Sequence, residues 1–218
     1  AMVLGLTMAV LTPAVLLGGV RWIARVCSVL VPFMALFYIA GCLAIVINNI
    51  AVIPETLMLI LKSAFSGEAA VGGFIGTVIR AGIARGLFSN ESGLGSAPIV
   101  AAAAQTRNPV RQALVSATGT FWDTVVICAL TGLVIVSSGH WKEKVDPASL
   151  TDRAFSELHY LGPWVLVIGL LTFVFSTILG WSYYGEKAAE YLFGSRVITP
   201  YRILWVIMVF VGSVTSLK

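Results

Sequence analysis

Between Gly86 and Pro98 the chain reads Gly-Leu-Phe-Ser-Asn-Glu-Ser-Gly-Leu-Gly-Ser-Ala-Pro, with Asn90 and Glu91 standing between glycines at 86, 93 and 95. The surrounding stretch is apolar, and this run makes a poor helix within it. Unwound backbone at membrane depth persists only where it is buried in protein or lines a wet cavity. A helix broken here exposes free N–H groups on one half and free C=O groups on the other, which suit a carboxylate and a small cation respectively. Ionisable side chains in such segments are usually functional. The alternative is a glycine-kinked packing helix whose small residues, Gly95, Ser96, Ala97 and Ala101 to Ala104, let a neighbour approach closely.

Two further polar insertions have the same logic. Asp123, in Phe121-Trp122-Asp123-Thr124, is the only charge between 112 and 141. It reads either as a cation-linked carboxylate or as one near a helix end paired to backbone. Ser176 and Thr177 are adjacent hydroxyls that can offer oxygens to a hard cation, or can bond the backbone one turn back. Trp181 lies one turn beyond Thr177 on the same helical face and could wall a small pocket.

The elements that must position these residues follow from composition. Of 218 residues, 58% are hydrophobic and 11% charged, and the mean hydropathy is +0.95. Soluble domains carry roughly 25% charge, so a water-soluble globule is excluded. The net charge of +4 is spread along loops instead of forming a basic stripe, which excludes nucleic acid as a partner. Stretches 1–20, 26–54, 92–106, 124–141, 158–185 and 203–217 contain no Asp, Glu, Lys or Arg. With about 20 apolar residues needed per crossing, the chain has room for five or six, and the lipid bilayer is its solvent.

The expected crossings are 1–20, 27–50, a long interrupted segment 70–105, then 112–136, 159–193 and a last one from 202. Residues 54–65 are too short to span and read as an interfacial helix, and 140–157 as a polar loop. Seven basic residues (Arg21, Arg25, Arg107, Arg111, Lys187, Arg196 and Arg202) fall on one side, against Lys62, Lys142, Lys144 and Arg153 on the other. The loops at 21–26, 106–111 and 186–202 are therefore expected to be cytoplasmic. Neither end shows a tail or a signal peptide, so the chain reads as an internal piece of a longer protein. Cys27, Cys42 and Cys128 stand at no metal or redox spacing and read as small buried hydrophobes.

Together these motifs resemble the alanine or glycine:cation symporter family, also called sodium:alanine symporters. The likeness rests on Gly86-Leu-Phe-Ser-Asn-Glu through Gly93-Leu-Gly-Ser-Ala-Pro98, Phe121-Trp-Asp-Thr124 with Cys128, and Phe175-Ser-Thr177 to Gly180-Trp181-Ser-Tyr-Tyr-Gly-Glu186. Val31-Pro-Phe-Met-Ala35 and the Asn49 to Pro54 region add to it. Ser92 stands where the family pattern has alanine and Ala113 where it has glycine, both small for small.

The resemblance implies an all-α polytopic membrane protein with a five-plus-five inverted-repeat transporter fold, incomplete in this chain, which would cover helices four to nine. Residues 1–53 would end the first repeat and 54–69 would hold an extracellular interfacial helix. The second repeat would take 70–218, with a discontinuous helix at 70–105 and helices at 112–136, 159–193 and 202–218. The implied activity is sodium-coupled symport of alanine or glycine into the cell by alternating access across the plasma or inner membrane, with no organic cofactor. The unwound Phe88, Ser89, Asn90, Glu91 and Gly93, with Thr177 and Trp181, would contact the amino acid. The Phe173 carbonyl, Ser176 and Thr177 would bind sodium, and Asp123 would support a second cation. Partner groups would come from a broken first helix in the missing N-terminal half of the polypeptide, which function would require. An intramembrane serine enzyme needs a base near its nucleophile. The two histidines, His140 and His159, lie in or beside the polar loop, and no Gly-x-Ser-x-Gly elbow occurs. A channel or a structural membrane subunit is the other alternative.

Overall fold

Glycine and proline, more than charge, set where the helices stop. The computed structural model describes residues 2–65, 75–91, 94–142, 147–158 and 160–215. Helix α1 (Met2–Leu16) is followed after a tight turn by α2 (Gly19–Asn48), α3 (Ile53–Phe65), α4 (Ile75–Asn90), the short α5 (Ala97–Ala101) and α6 (Pro109–Thr120). A π-helical stretch, Phe121–Cys128, continues α6 into α7 (Ala129–Ser137). Then come a 3-10 turn at His140–Lys142, α8 (Pro147–Ser156), α9 (Leu161–Phe193), a second 3-10 turn at Ser195–Val197 and α10 (Ile198–Val214).

Among the described residues, four continuous helical spans are long and apolar enough to cross a bilayer: Gly19–Asn48, Pro109–Ser137, Leu161–Phe193 and Ser195–Val214. The described parts of α1 and α4 are 15 and 16 residues long. Large apolar side chains such as Val29, Leu36, Leu114 and Trp164 point outward, as the surface of an all-helical membrane protein requires.

Several boundaries differ from those expected at charges. Arg21 and Arg25 lie in the opening turns of α2, not in a 21–26 loop, because Gly19 (φ 67) makes the turn. The Arg25 guanidinium stands 5.8 Å from the centre of the Trp22 ring, a cation–π contact. The expected 186–202 loop shrinks to a few residues: α9 runs on to Phe193, Gly194 (φ 78) turns the chain, and α10 starts at Ile198. At 106–111 the chain turns only as far as Asn108, whose side chain accepts from the Val110 N–H at 2.9 Å and caps α6. The 140–157 loop holds the amphipathic α8.

The chain packs as two units. One comprises Ala1–Ala35 with Ile168–Lys218, the other Leu36–Val167, so the division falls within α2 and within α9. In the first, α1 packs along α10. Gly5 leaves room for Ser213, and Met8, Thr12, Leu16, Leu179 and Tyr183 are buried. In the second, Tyr38 stacks on Phe155 with ring centres 5.6 Å apart and shares a 3.0 Å hydrogen bond with Thr131. Cys42, Ile45, Val134 and Ala154 complete that core. At its polar end, Asn49 donates to Glu157 at 2.8 Å, and His140 lies 3.7 Å from the same carboxylate. In the same unit, α4 packs against the π-helical stretch.

Candidate functional site at the broken helix

The last turn of α4 is held by side chains of the π-helical stretch. A π-helical turn carries an extra residue, which re-aims the side chains within it, and such turns recur at functional sites. Here it presents Asp123, Thr124 and Cys128 towards the end of α4. Ser89 Oγ lies 2.9 Å from both oxygens of Asp123 and 3.9 Å from Cys128 Sγ. Asn90 Nδ2 donates to Thr124 Oγ1 at 3.2 Å, and Thr124 Oγ1 lies 3.4 Å from Asp123 Oδ2. The sole charge of the 112–141 segment is therefore engaged by a hydroxyl from another helix, not by the backbone at a helix end.

The interruption itself begins at Glu91. Its φ of 57 is the only positive value at a non-glycine among the described residues. A helix commonly ends on a residue in this left-handed region, but that residue is usually glycine or asparagine. For an L side chain it costs roughly 1–2 kcal/mol. Ser96, which is buried, donates to Glu91 Oε2 at 2.8 Å, and the Leu94 N–H reaches the Glu91 carbonyl at 3.3 Å. Gly95 takes φ 81, and α5 then starts at Ala97. Among the described residues, a side-chain bond thus spans the break, from the buried Ser96 hydroxyl after it to the carboxylate of Glu91 before it. Beside it, Ala97, Ala101, Ala113 and Ser116 line an open groove of about 510 Å³.

On α9, in the other unit, Ser176 Oγ donates to the Phe173 carbonyl at 2.9 Å and approaches Met34 Sδ at 3.6 Å. The bond back to the preceding turn is the arrangement a helical serine adopts by default, and it puts two oxygens side by side. Thr177 is exposed on the next position, and one turn on Trp181 meets Tyr184 edge to face, with ring centres 5.6 Å apart.

Gly185 and Glu186, further along α9, both make contacts with α10. Gly185 gives way to Tyr201, since a Cβ there would meet the phenol oxygen. Glu186, only 8% exposed, takes two hydrogen bonds from the Arg202 guanidinium, at 2.6 and 3.0 Å. Lys187, Glu190 and Arg196 lie between the two partners in the sequence, so nothing there singles out Glu186 and Arg202 as a pair.

Comparison with known proteins decides what this helical frame belongs to: the sequence profile of the sodium:alanine symporter family matches residues 1–218. The chain belongs to the sodium:alanine symporter family. A protein named sodium/alanine symporter AgcS, from Methanococcus maripaludis, is 48% identical over 220 residues, which are 99% of this chain and 49% of that protein. An uncharacterized transporter of Haemophilus influenzae is 47% identical over 224 residues, covering 100% of this chain and 49% of its own length. The probable sodium/glutamine symporter GlnT of Bacillus subtilis is 36% identical over 220 residues, 99% of this chain and 46% of that protein. The chain thus spans about half the length of the curated relatives it matches. Membership of a symporter family sets the serine-enzyme alternative aside.

Within this symporter-family chain, the residues expected at a site fall into two groups, one in each packing unit. Ser89, Asn90 and Glu91 come together with Asp123, and with Thr124 and Ser96, which motif reading had left without a role. Phe173, Ser176, Thr177 and Trp181 follow one another along α9. The expected unwinding from Phe88 is corrected by three residues: Phe88, Ser89 and Asn90 remain helical, since Ser89 and Asn90 gain partners on the next helix, and the chain leaves the helix at Glu91. Phe88 is exposed, and Gly93 lies outside the described residues. Of the cysteines expected to be buried, Cys42 is; Cys27 is half-buried, and Cys128 is exposed because the wide turn carries it towards Ser89.

Proposed function

We propose that the full-length protein carries a small neutral amino acid, alanine or glycine, into the cell together with sodium, by alternating access across the cell membrane. The observation that carries the reading is a helix, broken at Glu91 and held by a carboxylate-bearing turn, in a chain of the sodium:alanine symporter family. Phe88, Ser89, Asn90, Glu91 and Gly93 are the proposed substrate contacts on the broken helix, and Thr177 and Trp181 those on α9. Phe88 and Trp181 are bulky and would limit side-chain size. Sodium would take the Phe173 carbonyl, Ser176 and Thr177, whose oxygens suit a hard cation. Asp123 would support a second cation. The five-plus-five repeat arrangement and the cytoplasmic placing of the basic ends belong to the same proposal. So does dependence on the other half of the polypeptide: the 218-residue chain alone is not expected to transport.

Coupling follows if sodium orders the segment that binds substrate, since the ion then favours the substrate-competent state and the amino acid reciprocally tightens the ion. The test is uptake of labelled alanine by full-length protein in proteoliposomes, driven by an inward sodium gradient. Saturable uptake that collapses when sodium is replaced by potassium is expected, with glycine competing and glutamine competing poorly. Equal alanine binding with and without sodium would overturn the coupling. Non-saturable flux would indicate a channel, and preferential uptake of glutamine would move the substrate towards that named for GlnT.

A further inference from the structure

Glu91 is the one ionisable group among the proposed substrate contacts. An amino acid presents an ammonium, and a carboxylate meets it with a charge-assisted hydrogen bond, the short and strong kind. A carboxylate on a flexible side chain at a helix end would have to be ordered at each binding event, and such ordering weakens affinity. Here the order is already present. Ser96 Oγ, in a side chain that is buried, donates to Glu91 Oε2 at 2.8 Å. Ser96 stands just before α5, where a serine ordinarily accepts from an N–H of the first turn. Its own backbone is helical instead (φ −76, ψ −39), and its side chain makes no capping hydrogen bond. The hydroxyl of this serine is committed to Glu91 and not to the helix it precedes. A hydroxyl is neutral, so it fixes the direction of the carboxylate and leaves the negative charge for a ligand. Glu186 has the opposite arrangement, since two bonds from the Arg202 guanidinium neutralise it.

We infer that Ser96 is a positioning residue for the amino-acid site: it holds the Glu91 carboxylate in place across the helix break, ready for the substrate ammonium. The inference rests on the proposed substrate segment and deepens it. It assigns the ammonium to Glu91, and the orientation of that carboxylate to a residue beyond the break. No contact between Ser96 and the substrate is required.

The experiment uses the full-length protein in proteoliposomes and compares Ser96→Ala, which removes the donor, with Ser96→Thr, which keeps it. A lost hydrogen bond of this kind corresponds to roughly a 10-fold change in affinity. Ser96→Ala is therefore expected to raise the alanine KM roughly 10-fold at saturating sodium, with maximal velocity little changed, and Ser96→Thr to stay near wild type. In a Glu91→Asp background, whose shorter side chain withdraws the carboxylate from Ser96, Ser96→Ala should add little further. If Ser96→Ala does not reach the membrane, Ser96→Cys, close in shape and a weak donor, replaces it with the same expectation. A structural role alone would lower maximal velocity or the amount of folded protein and leave the KM where it is. The inference is overturned if Ser96→Ala leaves the KM unchanged, if Ser96→Thr is impaired equally, or if the Glu91 and Ser96 effects multiply independently. Failure of the wild-type protein to take up alanine with sodium would instead overturn the transport reading, and this inference with it.

Discussion

Glu91 carries the cost of the break in its own backbone. At φ 57 it holds a conformation that glycine would take without strain, while its carboxylate is held by buried Ser96. The two facts make separable predictions. Glu91→Val puts a β-branched side chain into the left-handed region and loses the acceptor, whereas Glu91→Gly loses the acceptor but relieves the strain. The valine variant should be less stable than the glycine variant by about 2 kcal/mol, read as thermal midpoints of the detergent-solubilised full-length protein. Equal midpoints would mean that Glu91 is not strained. Both variants should lose transport if the carboxylate serves the substrate. That Asn90 and Glu91 stand at a helix break was legible at this scale, because polar side chains between glycines are conspicuous in an apolar run. Their partners were not. Ser89 and Asp123 are 34 positions apart, and Ser96 looks like any small residue of a packing stripe.

At the scale of elements, α9 and α10 are joined near the turn between them by Glu186 and Arg202, and by Tyr201 lying over Gly185. A buried, doubly hydrogen-bonded ion pair contributes little when compared with a well-packed apolar pair, yet removing one partner leaves a charge uncompensated. Glu186→Gln or Arg202→Met alone should therefore destabilise by about 3–5 kcal/mol. The double variant should cost less than the sum of the two, and thermal unfolding of the four proteins in a mutant cycle checks it. The helix boundaries teach a related lesson. The first crossing was expected to end at the charge of Arg21 and the last to begin at Arg202, but a long basic side chain lets a helix continue past the membrane surface. The 159–193 crossing does stop at Phe193. Gly19 and Gly194, both at positive φ, are where the chain turns. The π-helical stretch had no sequence signature, because a widened turn is stabilised by what packs and bonds against it, here the end of α4.

For the whole molecule the consequential quantity is which end faces the cytoplasm. In the proposed orientation, which is drawn from the bias of basic residues, the Gly194–Arg196 turn lies inside and the Ser138–Gly139 turn outside. In a cysteine-free background, Ser138→Cys should react with a membrane-impermeant maleimide on intact cells, and Arg196→Cys only after permeabilisation. The reverse pattern would invert the topology and with it the proposed direction of uptake. The exposed apolar faces of α2, α6 and α9 have the same origin as the composition that first excluded a soluble domain. With 11% charge there is too little polar surface to cover such helices, and the bilayer and the remaining half of the polypeptide are their proposed surroundings.

The all-helical class, the need for a bilayer, a helix break somewhere between Gly86 and Pro98 and the family were determined by the sequence itself. Each rests on local composition or on a contiguous motif, which the chain states without folding. The partners of the polar groups were decided only by tertiary structure: Ser89 with Asp123, Asn90 with Thr124, Glu91 with Ser96 and Glu186 with Arg202. A hydrogen bond depends on a few tenths of an ångström and on direction. Those are fixed by how helices pack and by one widened turn, and no spacing along the chain encodes them.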